Sequence, residues 1–341
     1  MSTITFEDFS FQGEEIRTLR KQIEENRMVH AILITGEIGT GKRTLANLIA
    51  EALVCKADYN KPCGKCSGCI LAMAGEHPDI TIIDKGKPLS RDTAKGRTTI
   101  PVDDIREMIR LCSQYSYEGG NRVVIIPNAE NMTFQAQNSL LKILEEPAQN
   151  IYFILTSAHP DQLLPTVISR CRPLKLIPWE EDYVQKILTE AGNDPVKARK
   201  TAYAASGSIG NALQLASDNE YWRMQEEIMN QFFRNRKRSD ILKISTEWKD
   251  RKSEAESLFS ILEQNIRTLL LYRLFKDKDH YPEEFPEEWK RFAVSAPLER
   301  FMFLTEKISE ARKQTAYNVN FQAIIEQLLL SFAGESELWV K

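Results

Sequence analysis

Solid apolar runs and helical spacings alternate along the first half of the chain. Ile32 to Ile34, Asp79 to Asp84 (DITIID), Arg122 to Ile126 (RVVII), Ile151 to Thr156 (IYFILT) and Pro173 to Ile177 (PLKLI) predict five buried strands. Between them apolar residues recur every three or four positions. Ile16, Leu19 and Ile23 predict a helix over residues 14–27, and Leu45, Leu48, Ile49 and Leu53 predict one starting near Lys42. Val102, Ile105, Ile109 and Cys112 give a third helix, for which Pro101 suits the first turn, and Ala136, Leu140, Leu141 and Leu144 a fourth that Pro147 stops. Residues 85–99 are polar and read as a loop. Strands alternating with helices predict an α/β fold, a parallel sheet with helices on both faces, whose ligands lie at the carboxyl ends of the strands. From Trp179 onward the strand pattern stops. Residues 180–217 fit a small helical lid and 220–333 several long helices, one striped by Phe301, Leu304, Ile308 and Ala311.

Composition narrows the class. The 341 residues suffice for two or three domains, and a formal charge of −3 with a pI near 6.0 argues against binding nucleic acid through overall basicity. A local cluster, Arg234, Arg236, Lys237 and Arg238, can touch phosphate or form a solvated helix end. No run approaches the roughly 20 apolar residues of a membrane span, and the acidic first residues lack an apolar signal core. The expectation is a cytoplasmic protein without a membrane partner.

Candidate chemistry begins at AILITGEIGTGKRTLA, a strand, a glycine-rich turn and a helix start. Gly36, Gly39 and Gly41 let backbone N–H groups converge on an anion, and Lys42 adds a movable ammonium. The hydroxyl that should follow the lysine to hold Mg²⁺ is replaced by Arg43, and Thr44 is turned away by about 100° on a helix. For hydrolysis the third strand should also end in two acids, one on the metal and one polarising water. Here Pro127 and Asn128 follow it, and Glu130 reaches the place only through irregular backbone. Asp103 and Asp104 read as first-turn acids of a helix. Nucleotide binding is therefore an open question at this loop.

Cys55, Cys63, Cys66 and Cys69 form C-x7-C-x2-C-x2-C, with Pro62, Gly64 and Gly68 supplying turns. In a reducing compartment this spacing predicts four thiolates around a structural Zn²⁺ with no open position; the alternative is four unligated thiols. Cys112 and Cys171 lie outside the cluster. Arg170, in Ser169-Arg170-Cys171, is either a solvated charge or an arginine finger for a neighbouring subunit.

Taken in order, HAILITGEIGTGKRTLA (30–46), the four cysteines, IPVDDIRE (100–107), NSLLKILEEP (138–147), LLPTVISRC (163–171) and NVNFQAIIEQLLL (318–330) resemble the bacterial clamp-loader subunits of the AAA+ superfamily. That group holds the gamma/tau and delta prime subunits of DNA polymerase III. The resemblance implies a RecA-like AAA+ domain at 1–178 with a zinc module at 55–69, a lid at 179–218 and a helical collar for oligomerisation at 219–341. Hydrolysing members have Thr after the lysine, Asp-Glu after the third strand, and an arginine in a lid motif GS-x-R-x-A-L. This chain has Arg43, Pro127-Asn128 and Gly210 in GSIGNAL, which resembles the delta prime branch. The resemblance thus implies a non-hydrolysing ring subunit that lends Arg170 in trans to a neighbour's ATP. Its partners would be gamma/tau and delta subunits, with the sliding clamp and primed DNA reached through the assembled loader and its polymerase holoenzyme. Two other readings are an ATP-hydrolysing gamma/tau-type subunit with an unorthodox site and a free-standing zinc-dependent nucleic-acid binder. The acidic balance and the want of an aromatic-basic stripe weigh against the last.

Overall fold

The computed structural model describes residues 5–85, 89, 97–113, 116–117, 120–234, 238–275, 285–317 and 319–338. Most of the polar stretch after residue 85, and Arg236 and Lys237 of the basic cluster, lie outside the described residues. The chain divides into two units, Met1–Ala216 and Ser217–Lys341.

In the first unit a 3₁₀ turn at Ser10–Gln12 leads into α1 (Glu14–Glu24), β1 (Ala31–Thr35), α2 (Lys42–Val54), α3 (Ser67–Ala74), β2 (Ile80–Ile82) and α4 (Val102–Cys112). Then come β3 (Arg122–Ile126), α5 (Phe134–Glu145), β4 (Ile151–Ser157), a single turn α6 (Pro165–Ile168) and β5 (Arg172–Lys175). The strands make one parallel sheet in the order β2-β3-β4-β1-β5. Because side chains alternate along a strand, the three inner strands each feed two cores. Ile32 and Ile34 of β1, Val123 and Ile125 of β3, and Ile154 of β4 pack with α1 and α2 on one face. Ala31, Leu33, Val124, Ile126, Phe153 and Leu155 pack with α4 and α5 on the other. Being buried on both sides is why these strands read as unbroken apolar runs. The sheet is the RecA-like AAA+ architecture implied by the motifs.

Two strands are displaced from their predicted spans. β2 spans only Ile80–Ile82, although Asp79 O and Ile83 N–H still bond to β3 on either side, and the Asp79 carboxylate turns to Arg122 at 3.3 Å and to the backbone N–H of Tyr117 at 2.8 Å. β5 begins at Arg172, whose register partner is Ile32, and ends before Ile177, whose backbone bonds the Gln12 side chain. α4 buries Met108, not Ile109, and Asp104 of that helix is buried against Arg97 at 3.2 Å.

Three helices complete this unit: α7 (Glu181–Glu190), α8 (Pro195–Ala204) and α9 (Ile209–Ser217). Asp194 caps α8 by accepting from the N–H groups of Val196 and Lys197, with Pro195 at the first helical position. The second unit is all helix: α10 (Asn219–Phe232), α11 (Arg238–Glu247), α12 (Ala255–Phe275), α13 (Glu287–Ser295), α14 (Leu298–Ala316) and α15 (Phe321–Leu338). The predicted stripe Phe301, Leu304, Ile308 and Ala311 lies in its core. Among the described residues no helix is long and apolar enough to cross a membrane.

Candidate functional site

The turn between β1 and α2 has the backbone of a phosphate loop. Gly36, Gly39 and Gly41 take φ of 147°, 80° and 92°, and α2 begins at Lys42. Lying after β1, which is flanked by β4 and β5, the loop occupies the carboxyl end of the sheet where the chain order switches. The loop is packed from within. The Lys42 ammonium donates to the carbonyls of Gly36 at 2.7 Å and Glu37 at 2.6 Å. Burial pulls its pKa down, and the charges of Glu130 and Glu37 pull it partly back.

The loop is also packed from outside. The N–H of Gly210, near the start of α9, donates to Gly39 O at 3.0 Å, and the indole N–H of Trp179 donates to Thr40 O at 2.9 Å. A Cβ on Gly210 would meet Gly39 Cα at 3.1 Å, and one on Gly39 would collide with the Ser208 hydroxyl. Phe9 lies edge-on to Trp179, and Tyr183 stacks on Trp179 with centroids 4.8 Å apart. Lid, loop and N-terminal segment thus form one packed junction. Trp179 has no periodic or motif signal; its partner is 139 residues away.

The residues at the positions singled out around the loop make contacts within the fold. Arg43 reaches Asp84 at 3.4 Å. Asn128 takes a left-handed conformation, φ 49°, and its N–H donates to Thr156 Oγ1 at 3.1 Å. Glu130 accepts from the Ala158 N–H at 3.1 Å through one oxygen, while its buried Oε2 has no hydrogen-bond partner.

The four predicted cysteines converge. All their sulfurs lie within 4.8 Å of one another, with 4.0 Å separations for Cys63–Cys69 and Cys55–Cys66. Four sulfurs about 2.3 Å from a common zinc would be separated by about 3.8 Å, so the cluster fits a tetrahedral metal. Backbone N–H groups already point at sulfur, from Cys63 to Cys55 at 3.3 Å and from Cys69 to Cys66 at 3.4 Å. N–H groups of Lys65 and Cys66 bring the Cys63 thiol down to about 6, whereas burial pushes Cys69 up. Gly64, at φ 68°, is a turn residue as expected. Gly68 is not: it lies in α3, where any Cβ would collide with the Val54 carbonyl.

Arg170 follows α6, partly exposed. Its Nε donates to Glu145 Oε1 at 2.9 Å, a terminal nitrogen donates to the same oxygen, and the other donates to Thr166 O at 2.9 Å. Cys112 and Cys171 are buried, and burial pushes their thiols up to about 11 and about 12, which favours the protonated thiol at neutral pH.

A parallel sheet with a phosphate loop at its switch point and a helical lid folded on that loop defines a module of the AAA+ class. A family model described as "DNA polymerase III, delta subunit" matches residues 11–180. DNA polymerase III subunit delta' of Bacillus subtilis (strain 168) is 26% identical over 324 residues, covering 94% of this chain and 95% of that protein. The delta' subunit of Haemophilus influenzae is 39% identical over 153 residues, 45% of this chain and 44% of that one. The tau/gamma subunit of the same organism is 32% identical over 219 residues, 62% of this chain and 30% of that one, so both Haemophilus matches span less than half of the relative. The chain belongs to the DNA polymerase III delta' family, with tau/gamma as its relatives.

Proposed function

We propose that this chain is a clamp-loader subunit that does not hydrolyse ATP, completes the loader ring, and supplies Arg170 to the ATP of an adjacent ATPase subunit. The observation that carries the reading is the packed phosphate loop, with Lys42 on its carbonyls and Gly210 against Gly39. Arg43, Pro127 and Asn128 hold neither metal nor attacking water, and Gly210 brings no lid arginine. Arg170 precedes β5, at the amino end of the sheet and so at the edge opposite the loop, where it has no reaction of its own chain to assist. Its planar fork of donors can neutralise charge developing on a neighbour's γ-phosphate. The partners of this reading are gamma/tau and delta subunits, through which the sliding clamp and primed DNA are engaged in the cytoplasm. Residues 1–178, 179–218 and 219–341 serve as AAA+ domain, lid and oligomerisation collar.

Cys55, Cys63, Cys66 and Cys69 would hold one Zn²⁺. With four protein ligands and no open position the metal would supply folding energy to the excursion between α2 and β2, and no chemistry.

The test is ATP turnover by the isolated chain and by its assembly with gamma/tau-type partners. We expect none from the chain alone, and in the assembly R170A slows the one site it serves by about 10³- to 10⁵-fold while the ring stays intact. A second reading, an unorthodox ATPase, draws on the unpartnered Glu130 Oε2 and the influence of that charge on Lys42. Turnover by the isolated chain near about 1 s⁻¹, abolished by K42A, would select it.

A further inference from the structure

We infer that Glu145 is a positioning residue for Arg170, holding one edge of the guanidinium so that its end-on fork stays available to a phosphate. The inference rests on the finger reading and adds a residue to it. Glu145 is the last residue of α5, and Glu146 follows as its cap. Carboxylates at a helix C-terminus face the negative end of the backbone dipole, where Lys or Arg is favoured. Two acids here work against helix stability, so the helix itself gives no reason for Glu145. Arg170, 25 residues further along the chain, does.

The donor count shows what the contact achieves. An arginine has five N–H groups. Nε and the terminal nitrogen beside it donate to Glu145 Oε1, which uses the side edge of the plane. The other terminal nitrogen donates to the Thr166 carbonyl, four residues back and close to the side-chain stem. Two N–H groups remain, one on each terminal nitrogen. With the stem-side hydrogen of its nitrogen directed to Thr166, the two that remain are adjacent and parallel, the pair that grips two oxygens of one phosphate. The side chains of Arg170 and Glu145 are 31% and 51% exposed, so the pair is screened by water and leaves the guanidinium most of its charge. What the contact provides is order: an arginine held in one rotamer loses less conformational freedom when it meets the phosphate.

The experiment is E145A assembled with wild-type ATPase partners. The readout is the phase of DNA-stimulated ATP hydrolysis that R170A removes, alongside ring formation by light scattering. We expect an intact ring, a kcat for that phase lowered about three- to tenfold, and an unchanged KM for ATP. E145Q, which keeps an oxygen for Nε, recovers part of the rate. In the R170A background, E145A causes no additional loss, because Glu145 acts only through the guanidinium. Glu145→Met keeps the side-chain length without the acceptor and gives the same reading should the alanine variant not assemble. If R170A removes a phase but E145A leaves it unchanged or faster, or if the two losses add, Glu145 is not a positioning residue. If R170A removes no phase, the finger reading itself falls, and this inference with it.

Discussion

Gly39→Ala tests the packed junction that carries the functional proposal. At φ 80° a Cβ is crowded by the backbone, which costs about 1–2 kcal/mol. The same Cβ collides with the Ser208 hydroxyl and lies 3.3 Å from both Ser208 Cβ and Asn211 N, so α9 must move away from the loop. That movement breaks the 3.0 Å bond from Gly210 N–H to Gly39 O, worth about 1 kcal/mol. The total is about 2–3 kcal/mol, or roughly 4–12 °C in Tm for a unit of this size. Hydrogen exchange locates the effect: protection falls at Gly210 and along α9 and stays unchanged at β4, in the middle of the sheet. Ser208→Gly in the same chain removes the hydroxyl and Cβ and restores about half of the loss. Unchanged Tm and unchanged exchange at α9 would mean that loop and lid are apart in solution, and the explanation of why this loop stays closed would be refuted.

Metal analysis of protein purified without chelator should give one zinc per chain. Cys66→Ser should lose it and raise proteolysis within residues 55–69 while the parallel sheet keeps its circular dichroism. At high pH the second unit should weaken through Tyr221, whose phenol is pushed up to about 12 by burial and, secondarily, by the charge of Asp218. The folded value lies above the unfolded one, so this contribution is complete below about pH 10 and is lost as pH rises to about 12. Tyr221→Phe should flatten an alkaline stability titration over that interval.

Strands and stripes were legible where burial alone dictates residue type. β3 has the predicted bounds, and α14 buries the four residues of its predicted stripe, because a surface that must exclude water accepts only apolar side chains. The cysteine cluster was legible too, since metal-ligand spacing is a local property of the chain. Contacts between distant polar atoms left no such trace. Asp104 reads as a first-turn acid of a helix, and it is that, but its burial against Arg97, from a stretch whose pattern predicts only a loop, left no sign. The bond of Trp179 to Thr40 and the pairing of Arg170 with Glu145 depend on which segments the sheet order brings together. Glu145 alone carried a warning, an acid at a helix C-terminus where the dipole disfavours it.

The Gln12 side chain both donates to and accepts from the backbone of Ile177, 165 residues later, so a single amide acts as one more rung beyond the end of β5. Phe11 packs on Tyr183, and the Tyr183 hydroxyl donates to the Asp8 carbonyl at the same seam. Asp8, Phe11 and Gln12 thus fasten the segment before α1 to the entry of the lid, whose Trp179 and Gly210 pack on the phosphate loop. Its strand and helix can form during synthesis, because they belong to contiguous chain. The enclosure has to wait for the lid, since contacts of such separation close only after the intervening chain is ordered.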